Sequence, residues 1–176
     1  VPPVEAERQA LAELAGEARR RQQAMQIAQR RLRALARQDS STKNIGATVG
    51  MVTAAVLHQG LGSFLAYPNT GSLLKAAGMN LKERSSGRRQ GQLTITKRGS
   101  RRVRQYLYLA VLRWIRDDPW VRAWHQRKVD RDGGRLKRKS IIALMRKLLR
   151  GLWWVARGET LDTTKLFDTR RLGVAA

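Results

Sequence analysis

Two adjacent serines, Ser85 and Ser86, stand between Lys82 and Arg104, where nine Lys/Arg face a single acid, Glu83. A serine hydroxyl is a weak nucleophile, but surrounding cations can neutralise a phosphate and stabilise the charge that develops in phosphoryl transfer. Arg84, Arg88, Arg89, Lys97, Arg98, Arg101 and Arg102 supply such surroundings, and Gly87 permits a close backbone approach. The same residues also suit a loop that only grips phosphate, with the serines donating hydrogen bonds. From the residues alone, the passive grip is the leading reading.

Other chemistries find less support. Metal-dependent phosphoryl transfer needs carboxylates on rigid elements. The thirteen acids fall mainly on the first helix, at Asp117-Asp118, around Asp130 and Asp132, and in the tail. The absence of cysteine excludes disulfides and thiolate metal sites, and the two histidines, His58 and His125, are too far apart in sequence to suggest a zinc cluster. No cofactor site is expected in this chain. His58 reads as a core or surface residue, and His125 as a phosphate contact. The five tryptophans recur at helical spacing and read as core, not as base-stacking platforms.

The formal charge of +23 and a pI near 11.8 point to a polyanionic partner. Nucleic acid is the first candidate, because phosphate neutralisation releases condensed counterions. No run of about eighteen apolar residues exists to span a bilayer, and the basic residues do not gather on one amphipathic stripe. The start "VPPVEAERQ" lacks the basic and apolar regions of a secretory signal. Beginning at Val1 without Met, it suggests a processed or truncated chain.

The elements that must position the basic segment are mostly helical. Glu5 to Gln38 reads as one long helix, with Val4, Leu11, Ala18, Met25 and Leu32 every seven residues. Leu14, Ala28 and Leu35 fill a second row, which Glu7 and Arg21 interrupt. Such a stripe suits either packing on its own body or pairing with another chain. "RQDSSTKN" is read as a polar break, giving an arm over residues 1–40 and a helical domain over 41–176. Two short helices follow, the first around Val49 to Val56 and the second from Gly71 to Ala77. Ser100 caps the next helix; Asp118 and Pro119 stop it and start another. Leu136 to Arg157 is the last helix, and the tail from Gly158 is irregular or a strap. "QLTIT" is the one strand-like piece. The fold class expected is mainly α, with a basic loop and little or no β.

In order, "IGATVGMVTAAVLHQGLGSF", "LLKAAGMNLKERSSGRRQGQ", "LTITKRGSRRVRQYLYLAVLR" and "RKSIIALMRKLLRGLWWVAR" resemble the C-terminal half of the Piv-like insertion-sequence transposases and DNA invertases. That family includes members guided by a bridge RNA. The resemblance runs from about Ile45 to Arg157, and the long first helix is similar to the family's coiled-coil arm. It implies that Ser86, with Ser85 as the alternative, attacks a DNA phosphodiester and forms a phosphoserine link. It also implies a bacterial cytoplasmic, nucleoid-associated protein whose partner is DNA, with a guide RNA as in some members of the family, and with self-association through the first helix. The family's RuvC-like domain, whose acids bind magnesium, has no counterpart here, and "NIGATVG" replaces a proline-glycine start. The chain is therefore expected to bind nucleic acid without cutting it unaided. The rival expectation is a non-catalytic DNA- or RNA-binding module.

Overall fold

Good helix formers dominate α1 (Pro3–Ala36), and its one glycine, Gly16, does not interrupt it. In the computed structural model, which describes residues 3–86, 89–134 and 137–167, this helix leaves nearly all of its surface to solvent. The side chains of positions 3, 84–86, 89, 90 and 92 lie outside that description. Of the two packings the seven-residue rows allow, α1 does not lie along its own body. Leu11, Leu14, Met25 and Leu35 are each more than half exposed, and burial begins only at Ala36.

The polar break is shorter than the sequence suggests. Asp39 adopts an extended conformation and caps α2 (Ser40–Val49), accepting from Thr42 N at 2.7 Å. The same Oδ2 atom also accepts from the hydroxyls of Ser41 and Thr42, at 2.5 and 2.6 Å. Both hydroxyl side chains are buried, so residues that looked like a linker are the capped first turn of a helix. Gly50, with φ +87°, separates α2 from α3 (Met51–Leu61), and a 3-10 turn at Phe64–Ala66 leads to α4 (Thr70–Ala76).

The basic segment expected as a loop is instead a β-hairpin. Strands β1 (Leu81–Ser86) and β2 (Arg89–Ile95) pair antiparallel from Leu81↔Ile95 to Arg84↔Gln92, then shift register before Ser86↔Arg89. "QLTIT" found its partner in "LKERSS", a stretch too charged to read as a strand in isolation. Among the described residues the remaining elements are helices, so the mainly α class stands. α5 (Arg101–Asp117), α6 (Pro119–Arg131) and α7 (Lys137–Val155) follow, with Ser100 and Asp118 as the expected N-caps. Asp118 accepts from Trp120 N and Val121 N at 2.9 and 3.1 Å, with Pro119 at the first helical position.

The core gathers Leu57, Leu73, Leu107, Val111, Leu144 and Leu148 from α3, α4, α5 and α7. The tail straps onto it. After the short α8 (Thr163–Leu166), Phe167 is buried with ring centroids 5.7 Å from Trp114 and 5.4 Å from Trp124. Lys147 lies over the Phe167 ring at 4.8 Å, and its Nζ donates to the Leu166 carbonyl. Trp153 is buried and donates from Nε1 to Tyr67 O at 3.1 Å, while Arg157 stacks on its ring at 3.5 Å. Trp114, Trp124 and Trp153 thus serve the core; Trp154 departs from that pattern with half its surface exposed. Among the described residues no helix is long and apolar enough to cross a membrane.

Candidate nucleic-acid interface

A two-stranded hairpin has too little surface of its own to hold a fixed orientation, so its placement depends on its root. Here the incoming and outgoing chains lock together. Lys97 N donates to Gly78 O at 2.9 Å, and Thr96 N donates to Asn80 O at 2.8 Å. Gly78 and Gly99 both have positive φ, +68° and +97°. A Cβ on Gly78 would lie 1.7 Å from Arg98 O, and one on Gly99 would lie 2.3 Å from Ala76 O. Only glycine permits this approach. Arg104 ties the junction further by donating to Gly99 O at 3.1 Å.

Four of the cations singled out from the sequence stand around this root. Lys97 and Arg98 lie in the connection after β2, and Arg101 and Arg102 occupy the first turn of α5; all four are exposed. None of them has a carboxylate partner within ion-pair distance among the described residues. Lys97 itself takes the left-handed conformation, φ +56°, which costs an ordinary residue about 1 kcal/mol. Arg101 and Arg102 oppose the helix dipole, since the positive end of a helix favours anions. An anion bound at this end of α5 would relieve both repulsions.

The remaining candidates are positioned only through the backbone. Arg84 pairs with Gln92 in the ladder, Ser86 pairs with Arg89, and Ser85 falls at the register shift. The side chains of Arg84, Ser85, Ser86 and Arg89 lie outside the described residues, as do Gly87 and Arg88 altogether. Glu83, the acid among these cations, turns back along the hairpin and accepts from Gly91 N at 3.2 Å.

Both histidines have hydroxyl partners within the protein. His125, expected to touch phosphate, faces inward: Nδ1 lies 2.9 Å from the buried Ser140 hydroxyl. Burial, then the nearby Lys137 charge, holds its pKa below the usual histidine value. His58 sits against the α2 cap, with Nδ1 2.8 Å from Thr42 Oγ1 and 3.7 Å from Asp39 Oδ2. No group of three or more His, Asp or Glu able to hold a metal ion occurs among the described residues. Asp118 and Asp39 are spent on helix caps, and Asp132 lies near Lys128 at 3.9 Å.

Two features escaped sequence reasoning. Arg113 donates to Val49 O at 2.9 Å and Thr53 Oγ1 at 3.0 Å, so it binds the α2–α3 junction and is not available to phosphate. The outward side of α5 carries large exposed side chains, Tyr108, Leu109 and Leu112, among its arginines. A helical wheel over "RRVRQYLYLAVLR" would have revealed them opposite Val103, Leu107 and Val111.

Two comparisons with known proteins bear on this chain. Residues 47–126, from within α2 through the hairpin into α6, match the Transposase IS116/IS110/IS902 family. The chain is also 34% identical over 96 residues to the insertion element IS900 uncharacterized 42 kDa protein of Mycobacterium paratuberculosis. That alignment takes in 54% of this chain and 24% of the relative.

Proposed function

We propose that this chain is the nucleic-acid-gripping, serine-bearing part of a DNA transposase or recombinase. The observation that carries the reading is the transposase-family match, because it spans the rigidly rooted basic hairpin and the unpaired cations beside it. In this reading residues 41–176 hold the DNA strand, and residues 1–40 form an arm that joins copies. Ser86 is the nucleophile, with Ser85 as the alternative. Its Oγ–P bond forms as one ester P–O bond breaks, leaving a phosphoserine link and a free DNA hydroxyl.

The chain's own residues would perform the electrostatic part of that step. Arg84, Arg88 and Arg89 on the hairpin, with Lys97, Arg98, Arg101 and Arg102 at its root, would neutralise the phosphate and the charge on its equatorial oxygens. They leave the hydroxyl proton without an obvious acceptor. A RuvC-like domain with magnesium-binding acids is the natural source of that acceptor. The described residues offer no carboxylate cluster for the metal. A guide RNA would use the same kind of phosphate grip.

The test is a covalent protein–DNA adduct assay on the protein carrying both domains. Ser86→Ala should abolish the adduct and Ser85→Ala should retain it. The opposite pattern would move the nucleophile to Ser85. An adduct in both single variants and in the double variant would leave a non-catalytic binding module as the better account.

A further inference from the structure

α5 turns two unlike faces to its surroundings. Val103, Leu107, Ala110 and Val111 are buried against the body. Helical spacing puts Arg101, Gln105, Tyr108, Leu109 and Leu112 on the opposite side. There Tyr108 is 41% exposed, Leu109 44% and Leu112 40%. These three form a continuous apolar surface on one helix, with an aromatic ring at its edge and bare arginines one to two turns before it.

We infer that this face is a stacking platform for unpaired bases, with Tyr108 as the ring on which a base lies. The inference rests on the nucleic-acid reading above and adds to it the state of the nucleic acid. An occupant must satisfy two demands that seldom coincide. It must present negative charge to Arg101 and Arg102, and flat apolar surface to Tyr108, Leu109 and Leu112. Unpaired nucleotides present both, since every base has a π-face and every linkage carries a phosphate. A duplex hides its base faces in the stack and offers only groove edges and backbone.

Charge also argues against a protein on this face. α5 bears five arginines and one acid, Asp117, which is already held by the Arg116 guanidinium at 2.6 and 3.1 Å. Tyr108 suits the task for a further reason. Its ring can stack, and its hydroxyl can stay in water, so partial exposure costs it less than it would cost phenylalanine. The spacing fits as well, because Arg101 and Tyr108 are seven residues apart, roughly 10 Å along the helix. The platform begins where the hairpin root ends, so a strand held at Lys97 to Arg102 would continue over it.

The experiment is binding of the 176-residue chain to three fluorescent probes: a single-stranded oligonucleotide, its duplex, and an abasic strand of equal length. Tyr108→Ala should weaken the base-bearing single strand by roughly 5- to 150-fold, the loss of one base stack. Tyr108→Phe should keep the affinity. The abasic strand and the duplex should be nearly indifferent to either change, and the salt slope should stay constant because no charge is removed. Equal losses on the abasic strand would overturn the stacking role and mark a structural effect. Unchanged affinity of Tyr108→Ala for the single strand would also overturn it and leave a protein as occupant. If the unaltered chain binds none of the probes, the nucleic-acid reading itself fails.

Discussion

Two elements leave the helical body of this protein, and they expose opposite chemistry. α1 carries two rows of apolar side chains, one of them interrupted by Glu7 and Arg21, among its seven arginines and four glutamates. The hairpin and its root carry nine Lys/Arg against one acid. An exposed apolar row asks for a protein surface, whereas dense cations ask for phosphate. Among the described residues, Leu11, Leu14 and Met25 of α1 stand exposed, and Lys97, Arg98, Arg101 and Arg102 at the hairpin root have no carboxylate within ion-pair distance.

Their attachments differ too. The hairpin is fixed by backbone contacts that only glycine allows. Substituting Gly78→Ala would drive a Cβ into Arg98 O at a positive φ, and should destabilise the protein by about 3 kcal/mol or more. Chemical denaturation measures this. A loss below about 1 kcal/mol would mean that the root opens easily and does not orient the hairpin.

Just beyond the end of α1, Asp39 caps the next helix. Asp39→Ala removes acceptors from Thr42 N and two buried hydroxyls, and should cost about 1–2 kcal/mol. Burial alone would raise the Asp39 pKa. Hydrogen bonds from Ser41 and Thr42, with the nearby His58, outweigh that effect and hold it below 3.8. A depressed carboxyl pKa stabilises the fold above the unfolded value and is lost as pH falls through the folded one. The gap in denaturation midpoint between Asp39→Ala and the parent should therefore be constant above about pH 5 and shrink in stronger acid. A gap independent of pH would assign the loss to packing.

The smallest effect on stability should come from the α1 rows themselves. Leu11→Asp with Met25→Asp touches only exposed positions, so the melting of the body should shift by less than about 0.5 kcal/mol. The same double variant should lower the sedimentation-determined mass if α1 joins copies. An unchanged mass with an unchanged melt would remove the proposed assembly role of the arm.

Much of this contrast was legible in the sequence, for identifiable reasons. Local rules placed the caps at Ser100 and Asp118, and the seven-residue rows marked α1. Charge density marked the hairpin, but its first strand was hidden, because "LKERSS" is too charged to show the alternation of a half-buried strand. The capped start of α2 was also hidden, since Ser41 and Thr42 resemble linker residues until their hydroxyls are seen bonded to Asp39. His125 misled because a histidine amid arginines suggests phosphate, whereas its partner, Ser140, comes from another helix. The exposed face of α5 was legible on a helical wheel, opposite the Val103, Leu107 and Val111 row.

The central claim, that nucleic acid is gripped at the hairpin root and not along α1, is tested most directly by salt titration of DNA affinity. Lys97→Gln/Arg98→Gln/Arg101→Gln and Arg19→Gln/Arg20→Gln/Arg31→Gln each remove three positive charges. The root variant should lower the slope of log K against log salt by roughly 2–3, while the α1 variant leaves it nearly unchanged. Equal reductions in the two would show that net charge, and not this site, holds the nucleic acid.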